Sequence, residues 1–116
     1  MHYMLLLHAD ERAGQALPKE QWEAGMAQMY AYAEALKKAG ALVSHGALGA
    51  SSSATIVSAP DGEMQVHNGP FAETKEQLGG YYMIEAADRD AANQWAARCP
   101  GATWGHVEVR EVSYEG

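Results

Sequence analysis

Tyr3-Met4-Leu5-Leu6-Leu7 is an unbroken apolar run at the head of a 116-residue chain. Five apolar residues without alternation read as a strand buried on both faces, hence a central one. Tyr81 to Glu85 is a further strand, aromatic and apolar in the way a pleated surface favours. Val107, Val109 and Val112 mix with His106, Glu108 and Arg110, which is near-strict alternation and marks a last strand. Two helices separate these strands. Pro18 suits a first helical position, and Trp22, Met26, Met29, Ala33 and Leu36 recur at steps of four and three on one stripe. Lys37 and Lys38 complement the dipole in the last turn, and Gly40 follows as a cap. In the second helix Asp88 is the N-cap, Ala91, Ala92, Trp95, Ala96 and Cys99 form the stripe, and Pro100-Gly101 stops it.

The remaining segments connect these elements. Ala9 to Leu17 is polar and irregular and reads as a loop. Ala41 to Val43 is a short extended run, and Gly49 to Ser53 is a small, polar connection. Ala54 to Ser58 and Met64 to His67 flank Pro60-Asp61-Gly62, a hairpin signal. Glu73 to Gln77 suits a helical turn that Gly79-Gly80 would end. The order is β-α-β, an inserted hairpin, then β-α-β. That predicts an α+β, ferredoxin-like domain over residues 1–116: an antiparallel sheet with two helices on one face. Helices on one face leave apolar strands bare on the other. A second copy of the chain is the simplest cover, so a homodimer is expected.

Composition narrows the function. The chain is 47% hydrophobic and 20% charged, with 8 basic against 15 acidic residues and a net charge of −7. A phosphate backbone would repel it, so nucleic acid is not an expected partner. No apolar run approaches a membrane span and no basic-then-apolar leader opens the chain, so a cytoplasmic location without membrane contact is expected. The single Cys99 cannot form an internal disulfide and reads as core filler. No nucleotide-binding glycine motif, Cys pair or close His repeat occurs, so neither a cofactor nor a metal is expected.

The chemistry-bearing residues gather at one end of the expected sheet. His8 closes the first strand and His106 opens the last, and antiparallel neighbours bring such ends together. Asp10 stands two residues beyond His8, and Glu108 two beyond His106, each on its histidine's face of an extended chain. Two His–carboxylate pairs make a plausible acid–base set, with His8 as acid or base, Asp10 orienting it, and His106 and Glu108 forming a second polar wall. The bland reading is a loop carboxylate and the polar face of an edge strand. His45 and His67, beside turns, read as exposed.

Asn68-Gly69-Pro70-Phe71-Ala72-Glu73-Thr74-Lys75-Glu76-Gln77-Leu78-Gly79-Gly80-Tyr81-Tyr82 is the least generic stretch. It resembles the signature of the YCII-related family in its DGPF-domain branch, and Tyr3 to Leu7 and Trp95 to Arg110 resemble that family too. Asn68 stands where the branch has Asp. The resemblance implies a dimeric α/β barrel. In the wider family it implies a His–Asp pair proposed as catalytic, one branch being associated with dehydrohalogenation of chlorinated aromatic diols. That pair lies partly in the family's first helix, and the helix from Pro18 has no histidine. The expected function is a small-molecule binder or enzyme with lyase- or hydrolase-like acid–base chemistry. Phe71 and Tyr82 would supply the apolar part of its pocket, and Glu73 and Lys75 would also contact substrate. The alternative is a non-catalytic dimeric partner-binding module, since the branch is often encoded near extracytoplasmic-type sigma factors. A His–carboxylate contact inside a cavity favours the first; an apolar patch with solvated histidines favours the second.

Overall fold

β1 (His2–Ala9) lies inside a four-stranded antiparallel sheet with β5 (Gln77–Glu85) on one side and β6 (Gly105–Glu111) on the other. β2 (Leu42–Ala47) pairs with the far edge of β5, giving the order β2-β5-β1-β6 expected of a ferredoxin-like sheet. The computed structural model describes residues 1–115. β3 (Thr55–Ser58) and β4 (Gln65–Asn68) form a separate hairpin. Gly62 at its turn has φ 81°, a left-handed backbone that glycine adopts without steric cost.

Alternate residues of the central strands point into the helical layer. Tyr3, Leu5, Tyr82 and Ile84 are buried there, against Tyr32, Ala33 and Leu36 of α2 (Lys19–Lys38) and Ala92 and Ala96 of α3 (Arg89–Arg98). The Tyr32 hydroxyl donates to the Trp95 carbonyl at 2.7 Å, and its ring meets Tyr82 edge-on at 5.2 Å. Burial pushes the Tyr82 hydroxyl up to about 12 and raises that of Tyr32 further. Cys99 is buried in the same core, and its thiol is pushed up by burial, which makes it inert filler as expected. The Asp88 carboxylate caps α3 by accepting from the Ala91 amide at 2.8 Å. Among the described residues no helix is long and apolar enough to cross a membrane.

Five local expectations are corrected. The stretch after β1 is not all loop: Glu11–Gln15 forms a short helix, α1. Past Pro100-Gly101 the chain makes one more turn, α4 (Gly101–Trp104), before β6. Glu73 to Gln77 is not helical, because Gln77 already pairs with Ala9. Gly79-Gly80 therefore lies inside β5 rather than ending an element. A Cβ on Gly80 would sit 2.9 Å from the Gly46 carbonyl oxygen, so its glycine allows β2 to approach. The helical stripe holds at Ala33, Leu36 and Met29, but Trp22 is half exposed and Tyr32 carries the aromatic contact instead.

Candidate functional site

The register of β1 and β6 sets His8 directly opposite His106 and Leu6 opposite Glu108. Residues opposite one another across antiparallel strands share a face, so both histidines and Glu108 project from the side without helices. His8 Nε2 lies 3.0 Å from Glu108 Oε1. The other carboxylate oxygen of Glu108 is held by Arg110 Nε at 3.5 Å. His106 turns the other way: its Nδ1 lies 2.7 Å from Glu76 Oε1 on the segment entering β5. His8, His106 and Glu108 do gather at one sheet end, but Asp10 does not join them and the pairing is exchanged, each histidine meeting a carboxylate other than the expected one.

The exchange has a simple cause. Glu108 stands at a similar separation, roughly 7 Å, from His106 on its own strand and from His8 on the diagonal across to β1; with Glu76 taking the His106 ring, Glu108 meets His8. Asp10 is drawn away from His8 altogether. Its carboxylate caps α1, accepting from the Arg12 amide at 3.0 Å and the Ala13 amide at 3.2 Å. Glu108, not Asp10, therefore orients His8.

The exchange also fixes which ring nitrogen is available. A carboxylate only accepts, so a neutral His8 ring facing Glu108 through Nε2 places its proton there and leaves Nδ1 open. His106 presents the opposite tautomer, with Nε2 open. The His8 side chain is 30% exposed and that of His106 81%, so His8 is the better shielded base.

The expected pocket walls are dispersed. Tyr82 faces the helical layer, where His45 stacks on it at 5.4 Å, so it cannot line a site with His8. That contact also gives His45 a packing role. Phe71 is 87% exposed. Glu73 and Lys75 line a cleft of about 590 Å³ between the 70–77 segment, α1 and the turn at Ser51–Ser53. Its floor is a closed network. The Glu11 carboxylate accepts from the Ser51 amide and hydroxyl at 2.9 and 2.7 Å, and the Glu11 amide donates to Gln77 Oε1 at 2.9 Å. Among the described residues no three His, Cys, Asp or Glu side chains converge as metal ligands. Sequence placed neither Glu76, read only as part of the motif's charge, nor Arg12, which lines the cleft, at a site. Glu76 stood inside the quoted motif, but nothing local ties it to a histidine 30 residues away.

The family model for the YCII-related domain matches residues 1–114. The chain belongs to the YCII-related family. This YCII-related chain is 36% identical over 115 residues to "Uncharacterized protein R00369" of Rhizobium meliloti (strain 1021), covering 97% of this chain and 93% of that one. Its fold is similar to that of 5-chloro-2-hydroxyhydroquinone dehydrochlorinase (TftG) from Burkholderia phenoliruptrix AC1100, solved in complex with 2,5-dihydroxybenzoquinone. The TM-score is 0.59 at 17% identity, over 99% of this chain and 96% of that one.

Proposed function

We propose that this YCII-related protein is a small-molecule enzyme whose acid–base centre is His8 held by Glu108, with His106 and Glu76 as a second, more solvated pair. The 3.0 Å contact between His8 Nε2 and Glu108 carries the reading; it lies on the open sheet face outside the cleft, so the cavity it needs rests on cover by a second copy. It leaves His8 Nδ1 as a base and makes the imidazolium, once formed, a partner of a fixed carboxylate. The reaction class is elimination on a small hydroxylated ring: a base removes a proton while an anionic group leaves. The dehydrochlorinase of similar fold is named for such a step, loss of HCl. The motif from Asn68 to Tyr82 supports placement in the DGPF branch. Met4, Leu6, Tyr81 and Met83 are only half-buried on the open face, which supports a homodimer in which a second copy roofs this end of the sheet. The lone, buried Cys99 accords with a reducing cytoplasm.

Chloride release from 5-chloro-2-hydroxyhydroquinone tests the reading. Turnover is expected in the wild type, and His8→Gln is expected to lower it about 10²-fold or more, the usual contribution of one general base. Glu108→Gln keeps the shape and is expected to lower turnover less. An inactive wild type, or a His8→Gln protein with unchanged turnover, refutes it.

A further inference from the structure

The chain has 8 basic side chains within a net charge of −7, so acidic partners are plentiful. Among the described residues five of the eight are matched. Lys19 reaches Glu23 at 3.8 Å, Lys37 reaches Glu34 at 3.3 Å, and Arg110 reaches Glu108 at 3.5 Å. Arg89 and Arg98 lie over the rings of Tyr3 and Trp95 at 5.8 and 4.2 Å. Lys38 ends α2, where exposed carbonyls favour a cation. Among the described residues Arg12 and Lys75 have no side-chain partner, Arg12 standing in the last turn of the five-residue α1, and both line the cleft of about 590 Å³.

The acidic residues in that cleft do not answer them. Asp10 spends its carboxylate on the α1 amides, and Glu11 spends its own on Ser51. Glu73 is the one uncommitted carboxylate, against two uncommitted cations, and the Gln15 amide lies beside them. The network beneath ties α1, β5 and the Ser51 turn together, so the cations stand on a fixed base.

We propose that this cleft binds a small organic monoanion of the carboxylate class, with Arg12 forking onto the carboxylate and Lys75 supplying a point charge. Glu73 and Gln15 face the uncharged, hydroxyl-bearing end. His8, His106 and Glu108 are not among its lining residues, so the site stands apart from the acid–base pair.

Nitrogen–proton NMR titration with sodium lactate, against sodium chloride at matched ionic strength, tests it. Saturable shifts at the amides of Arg12, Ser52 and Lys75 are expected with lactate and not with chloride. Arg12→Gln and Lys75→Gln are each expected to weaken binding about fivefold, the upper range for one exposed ion pair, while Lys38→Gln leaves it unchanged. All three side chains are exposed, so the variants keep the fold. Shifts that follow chloride equally, shifts indifferent to Arg12→Gln and Lys75→Gln, or tighter binding of inorganic phosphate than of lactate would each overturn the proposal.

Discussion

One sheet shows two unlike faces built from the same strands. Toward the helices, Tyr3, Leu5, Tyr82 and Ile84 are buried among apolar and aromatic neighbours. On the other side Met4, Leu6 and Met83 are half covered, and the outer positions carry His8, His106, Glu108 and Arg110. The strand period of two divides the residues between these faces. The covered face stabilises the fold; the open face leaves polar groups free to pair with one another. Two histidines show the contrast. His45 faces the helical side and packs on Tyr82, whereas His8 faces outward and meets Glu108.

The largest expected effect separates the faces by stability. Leu5→Ala is expected to cost about 3 kcal/mol, since a fully buried leucine leaves a cavity. Leu6→Ala is expected to cost less than half of that at low protein concentration. Urea unfolding of both variants measures it. Equal costs at low concentration would mean that the open face is sealed within one copy. A Leu6 cost that grows with concentration would point to cover by a second one.

Next comes alkaline pH, which acts on the buried tyrosines of the covered face. The Tyr82 hydroxyl lies at about 12 in the fold against an ordinary 10. Its protonated form is therefore favoured by folding, and that stability is fully present below pH 10 and lost as pH rises toward 12. Tyr82 alone is expected to contribute a loss on the order of 2 kcal/mol across that window, and the more strongly raised Tyr32 adds to it. Urea unfolding across it measures the loss, with tyrosinate absorbance as the internal check, and Tyr82→Phe is expected to reduce it.

A smaller effect belongs to the cap between the faces. Asp10→Ala is expected to destabilise by about 1 kcal/mol, the ordinary worth of an N-cap, with His8 left in contact with Glu108. Thermal unfolding together with the His8 side-chain NMR signal checks both halves. Displacement of the His8 signal would return Asp10 to the role of its orienter. Glu76→Gln is expected to change stability by about 0.5 kcal/mol or less, because the Glu76–His106 pair is open to solvent.

Sequence pattern resolved the covered face better than the open one, for a physical reason. Apolar runs and helical stripes are local, so Tyr3 to Leu7, the stripe through Ala33 and Leu36, and the Asp88 cap were legible, as was the meeting of His8 and His106. Partner choice was not. Whether Glu108 turns to His106 on its own strand or to His8 across the sheet depends on register, and Glu76 comes from a segment 30 residues before its histidine. Asp10 misled because one carboxylate suits both a histidine partner and a helix cap, and α1 is too short to show a periodicity. Gly79-Gly80 reads as a stop until the nearness of β2 is known.

Calorimetric titration of 2,5-dihydroxybenzoquinone into His8→Ala and His45→Ala tests the division of labour most directly, because the two histidines sit on opposite faces of one sheet. The expected result is saturable binding that survives in His45→Ala and is lost in His8→Ala, with both proteins folded. Binding retained without His8, or lost equally without His45, would contradict the assignment of function to the open face.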